Sequence, residues 1–169
     1  AGAAVHLVDA ATRDYRESTV QDLHDAARIA DTLDNIHFVQ RPMVCRDIPD
    51  NREMDLNTLY ACCAGTTKHV GVSFTEPDFA RDAMAMLHLI AGGEAAWRAR
   101  PFVSNSNCFV VPPMKFATES CRVMEECIRG GMPILLLSAG QAGATAPAPI
   151  AGAIVQATVE CLAGLVYAD

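Results

Sequence analysis

At 169 residues, with 51% apolar and 20% charged side chains, the chain can bury one sizeable core and expects much of its length to be covered. A net charge of −7 argues against a nucleic-acid or anionic-membrane partner, because either would want a basic face. No apolar run reads as long enough to span a bilayer and no charged-then-apolar leader opens the chain, so no membrane partner is expected.

The seven cysteines form an odd set with no C-x-x-C pair, and several lie in apolar, helical settings. They read as buried free thiols of a reducing cytoplasm, which is the expected location. The five histidines contain no His-x₃-His pair, so no structural metal site is expected. There is no initiator Met, and Leu165-Val-Tyr-Ala-Asp169 reads as running into a further element. A piece of a longer protein is the expectation.

In chain order, residues 4–17 read as a hairpin: a short strand over Ala4 to Asp9, a polar turn over Thr12 to Tyr15, and a return at Arg16. Ser18 and Thr19 offer N-caps to a helix whose Val20, Leu23, Ala27, Ala30 and Leu33 recur at helical spacing. Ile36 to Gln40 is a strand. Asp55 is the expected cap of the next helix, which carries Leu56, Leu59, Tyr60 and Cys63 and stops at Gly65. A strand over residues 68–74 follows, then a helix opened by Glu76-Pro77 and closed by Gly92-Gly93, and a short helical piece around Trp97. The strand at 102–106, the helix at 116–129, the strand at 133–138 and a last helix at about 148–166 complete the chain. Lys68 and Glu76 read as ordinary surface residues.

Strand starts near 36, 68, 102 and 133 recur about every 32 residues, the length of a strand–helix unit. The expected class is α/β. Four consecutive units without a nucleotide fingerprint favour a (β/α)₈ TIM barrel over a doubly wound sheet, with an open four-stranded sheet as the alternative. A barrel needs about 250 residues. Residues 1–169 would then be one partial barrel domain: about half of it, four βα units plus the N-terminal hairpin.

In such a fold the site lies at the C-terminal strand ends. Those positions are Gln40-Arg41, Ser73-Phe74-Thr75, Asn105-Ser106-Asn107-Cys108, and Ser138 through Thr145. They are rich in amides and hydroxyls and carry no carboxylate. This suits a neutral or delocalised ligand held by many hydrogen bonds. Arg41 could meet an anionic group or a loop carbonyl. Phe38 and Phe74 could form an aromatic wall for a cation, although core packing is the commoner use. Cys108 has no base beside it in sequence, and His37 and His69 read as hydrogen-bonded strand histidines.

The run Ile134 to Leu137 has no polar residue and reads as a strand buried on both faces. The loop after it is built of small residues, with Gln141 and Thr145 as its hydrogen-bonding side chains. Gly143 leaves room for a large ligand to approach, and Thr145 is the expected cap of the last helix.

Several segments resemble the trimethylamine methyltransferase family. They are Asp34-Asn-Ile-His-Phe, Gly65-Thr-Thr-Lys-His-Val-Gly, Ile90-Ala-Gly-Gly, Arg100-Pro-Phe-Val-Ser-Asn-Ser-Asn-Cys, Pro112-Pro and, most specific, Gly140-Gln-Ala-Gly-Ala-Thr-Ala-Pro. The resemblance covers essentially the whole chain. It implies a TIM barrel that passes a methyl group from a small methylated amine, trimethylamine or a quaternary amine such as glycine betaine, to the Co(I) corrinoid (cobalamin) of a separate corrinoid protein. The expected substrate- or corrinoid-facing set is Gln40, Arg41, Ser73, Phe74, Asn105, Ser106, Asn107, Gln141, Gly143 and Thr145. No covalent cofactor is expected, and the full-length protein is expected to be a homo-oligomer. A barrel methyltransferase using methyltetrahydrofolate, with Asn105 and Asn107 at the pterin, stays open. So does a non-catalytic interaction fragment.

Overall fold

The computed structural model describes residues 3–169. The N-terminal hairpin forms as expected, β1 (His6–Val8) pairing antiparallel with β2 (Tyr15–Glu17). Thr19, not Ser18, caps α1 (Val20–Asp31), in a reciprocal capping box with Asp22. Ser18 instead donates its hydroxyl to the Val44 carbonyl at 2.6 Å. The strand β3 (Phe38–Gln40) then leads to α2 (Asn51–Gly65).

Asp55 is not the cap of α2. The helix starts a turn earlier, and Asp50 accepts the Glu53 N–H at 2.9 Å. Gly65 lets α2 lie against α1, since a Cβ there would come within 2.7 Å of the Ala27 methyl. Lys68 is no ordinary surface residue either. Its Nζ donates to the carbonyls of Ala30 (2.7 Å) and Leu33 (2.6 Å), neutralising the C-terminal end of α1.

The chain continues through β4 (His69–Val72), α3 (Pro77–Ala91), the short α4 (Glu94–Ala99) and β5 (Val103–Asn107). A hairpin that sequence reading did not anticipate comes next, β6 (Val110–Val111) with β7 (Lys115–Phe116). Its tip contains a cis Pro112–Pro113 bond and Met114 at φ +57°. Because residues 115–116 belong to this hairpin, α5 begins at Thr118 and runs to Arg129. The chain ends with β8 (Ile134–Leu136) and α6 (Ile150–Ala168).

β3, β4, β5 and β8 form one parallel sheet in chain order, with Phe38 opposite His69, Val70 opposite Val103 and Asn105 opposite Ile134. This is the arrangement that the strand–helix repeat predicts. Side chains alternate across it. Val70, Val72 and Val103 join Leu59, Leu87, Trp97 and Val123 in the main core under α2, α3 and α5. The opposite face carries Phe38, Gln40, His69, Gly71, Ser104, Ser106 and Leu135, and no described element covers it. Phe38 is 51% exposed there and Leu135 46%.

β8 is therefore not buried on both faces. Among the described residues it is an edge strand, with β5 as its one neighbour. α6 covers it incompletely, burying only Glu160 and Gly164 along its length. Gly164 receives the edge of the fully buried Phe109 ring, where any Cβ would collide. α6 also corrects the sequence reading in another respect. It is 19 residues long with a mean hydropathy of 1.6, so by length and composition it could cross a membrane. The polar residues Gln156, Thr158 and Glu160 hide this in a scan for unbroken apolar runs.

Candidate active site

The carboxyl ends of β4 and β5 enclose a cleft of about 170 Å³ lined by Ser73, Phe74, Asn105, Ser106, Asn107, Cys108 and Ser120. Five of the ten residues expected from sequence thus meet in one place. The Ser73 hydroxyl donates to the Ser106 carbonyl at 3.0 Å, and the Ser106 hydroxyl donates to Gln40 Oε1 at 2.7 Å. Gln40 reaches that far because Gly71 beneath it has no side chain: a Cβ there would collide with Gln40 Oε1. On the helix side, Asn105 Nδ2 donates to the Cys127 sulfur at 3.2 Å and Asn107 Nδ2 to the Ser120 carbonyl at 3.0 Å. Asn107 Oδ1 is buried without a partner among the described residues. A buried acceptor left unpaired is costly and calls for a donor.

Phe74 is a core residue, packed in the main cluster. Phe38 is the aromatic ring left open on the uncovered face of the sheet. His69 Nε2 lies 2.9 Å from Ser104 Oγ, and burial lowers its pKa, so the imidazole stays neutral at physiological pH. Burial pushes the Cys62 and Cys127 thiols up to about 12, which keeps them protonated and unreactive. Cys108 is exposed at the cleft.

The strand ends themselves carry no carboxylate, but two helices bring one each, which sequence reading missed. Asp55 of α2 accepts the Thr75 N–H (2.8 Å) and hydroxyl (2.9 Å) on Oδ2, while its Oδ1 is buried and unpartnered among the described residues. Burial raises its pKa; the two Thr75 bonds and the charge of Arg41 oppose this without overcoming it. Arg41 itself is half-buried, its backbone N–H donating to the Gly71 carbonyl at 2.9 Å. Glu160 of α6, 1% exposed, accepts the Ser138 hydroxyl at 2.5 Å, the Met114 N–H at 2.9 Å and a Gln156 amide N–H at 3.1 Å. Burial alone would raise its pKa, but these three donors together hold it below the usual Glu value.

Gln141, Gly143 and Thr145 stand apart from the cleft, in a loop bonded to itself. The Gln141 carbonyl accepts from the N–H groups of Ala144, Thr145 and Ala146, and Thr145 Oγ1 accepts the Gln141 N–H at 2.9 Å. Thr145 therefore closes the loop and does not cap α6, which follows Pro149 with no side-chain cap. Gly143 has φ +81° with only Ala148 within 4.0 Å, so its hydrogen serves the turn as well as leaving open space. Among the described residues no group of three His, Cys, Asp or Glu side chains is placed to hold a metal ion.

A parallel sheet laid down in chain order, with a polar, uncharged cleft at the carboxyl ends of its middle strands, defines an α/β protein with its candidate site where such sheets hold ligands. Comparison with known proteins supplies the family. The trimethylamine methyltransferase (MTTB) family profile matches residues 1–169, and the chain belongs to that family. It is 29% identical over 168 residues to a trimethylamine methyltransferase of Desulfitobacterium hafniense, covering 99% of this chain and 34% of that protein. It is 28% identical over 156 residues to one from Methanosarcina acetivorans, covering 90% of this chain and 31% of that protein. A glycine betaine methyltransferase of Desulfitobacterium hafniense is 27% identical over 156 residues, with 91% and 32% covered. The chain spans about a third of the length of these relatives.

Proposed function

We propose that this chain is part of a (β/α)₈ barrel methyltransferase that moves a methyl group from a methylated amine to the Co(I) corrinoid of a partner protein. The observation that carries this reading is the cleft at the ends of β4 and β5, amide- and hydroxyl-lined and holding the unpaired Asn107 Oδ1. That donor and acceptor set fits the carboxamide-fringed edge of a corrin ring, which presents both N–H donors and C=O acceptors. The corrinoid, when bound, supplies the metal centre that accepts the methyl group.

The residues of this chain position and shield. Ser73, Ser106 and Gln40 form a hydrogen-bonded row that fixes the strand ends, so ligand groups meet a preset surface. Phe38 stands on the sheet face that would turn inward in a closed barrel, where its ring would line the interior. Neutral His69 leaves that face without a strong base, in keeping with a transfer that needs alignment more than proton abstraction. Further strands pairing with β3 and β8 would close the barrel and cover the open face.

The test is made in a full-length protein carrying this segment. Asn107→Ala removes the unpaired acceptor and should slow the loss of Co(I) absorbance roughly tenfold with trimethylamine or glycine betaine as methyl donor, the effect of one buried polar contact. An unchanged rate with both donors would sink the assignment of this cleft.

A further inference from the structure

A charge in the middle of a 19-residue apolar helix is costly unless several donors meet it. Glu160 is the one charged residue of α6 and is 1% exposed. Its donors come from three separate places: Ser138 at the end of β8, Met114 at the hairpin tip, and Gln156 one turn back on the same helix. Gln156 Nε2 also donates to the Thr145 carbonyl at 2.8 Å, so the carboxylate orients the side chain that holds the β8–α6 loop. Met114 stands at φ +57°, a conformation that a non-glycine residue keeps only when its surroundings impose it, and its N–H is the group that Glu160 binds.

From this geometry we infer that Glu160 is a positioning residue that ties the hairpin tip at Met114 directly, and the loop at Gln141–Ala146 through Gln156, so that loss of its carboxylate releases both segments. Its consequence for methyl transfer rests on the function proposed above; the coupling does not, and its test uses no activity.

Amide hydrogen exchange on the full chain reads it directly. Glu160→Ala should accelerate exchange at Met114 and at Ala144, Thr145 and Ala146 together, by about tenfold or more, while Val70 and Val103 in the main core stay protected. Glu160→Gln keeps an acceptor for the Met114 N–H and an amide for the Ser138 oxygen, and should restore both segments to within about threefold of wild type. Gln156→Ala should release the loop and leave Met114 unchanged. Acceleration at Met114 alone in Glu160→Ala, or an equal rise throughout the core, would overturn the coupling. If Glu160→Ala does not fold, Glu160→Leu, close in volume and without an acceptor, takes its place: joint acceleration at Met114 and the loop supports the coupling, and acceleration of either alone overturns it.

Discussion

The first three strand–helix units and the last one follow the same pattern in sequence and are held by different forces. α2 and α3 bury Leu59, Cys62, Ala80, Ala83 and Leu87 in one core with Val70 and Val72 of β4 and Val103 of β5. α6 buries a carboxylate and a glycine, while Ile150 is 74% exposed and Val166 80%. An apolar stripe is covered only when the sheet and the next helix flank it on both sides. Among the described residues β8 and α6 have neighbours on one side, and there polar ties at Glu160 and the Phe109 contact hold α6 in place. Helical periodicity measures a segment's capacity for burial; its neighbours decide how much is used.

The widest separation between the two regions should appear in urea unfolding. Leu59→Ala, in a fully buried site, should cost about 2–5 kcal/mol, whereas Leu165→Ala, largely exposed, should stay within about 0.5 kcal/mol. Equal costs would break the comparison.

The two buried carboxylates should respond to pH with opposite signs. Asp55 has a folded pKa above its unfolded one, so its contribution is intact below the ordinary Asp range and is lost as pH rises through the folded value. Glu160 has a folded pKa below its unfolded one, so its contribution is present above the ordinary Glu range and is lost as pH falls through the folded value. Relative to wild type, Asp55→Asn should therefore gain stability as pH rises above the ordinary Asp range. Glu160→Gln should be the less stable protein at pH 7, its deficit closing on acidification. Parallel pH profiles for the two variants would refute the assignment.

A smaller effect sharpens the picture at the cleft. In Gly71→Ala the new methyl must displace the flexible end of Gln40 and break the Ser106–Gln40 hydrogen bond. A loss of about 1 kcal/mol in thermal unfolding is expected. No change would mean that this row is not held as described.

The parallel sheet, its strand order and most helices were legible because period and punctuation are local signals. The cleft was legible in part: Ser73, Phe74, Asn105, Ser106 and Asn107 converge because the strand starts were placed correctly. Asp55 was misread because an acidic residue before an apolar run looks like a cap wherever it falls, and the true cap, Asp50, stands five residues earlier. The β6–β7 hairpin has two residues per strand, too few to show alternation. Glu160 binds Ser138 and Met114 across 22 and 46 residues, a distance that no local pattern spans. One signal did exist: a lone Glu amid an apolar helix must have partners somewhere. The Gln141–Thr145 loop looked available because its side chains are few, yet its polar groups largely satisfy one another.

The Phe109 ring and Gly164 work as a peg and notch. The notch lies four residues beyond Glu160, close to one helical turn, so two fastenings sit nearly in line on the same side of α6. A cylinder pinned at two points along one line can neither spin nor slide. While both fastenings hold, a shift of α6 would draw the hairpin tip with it.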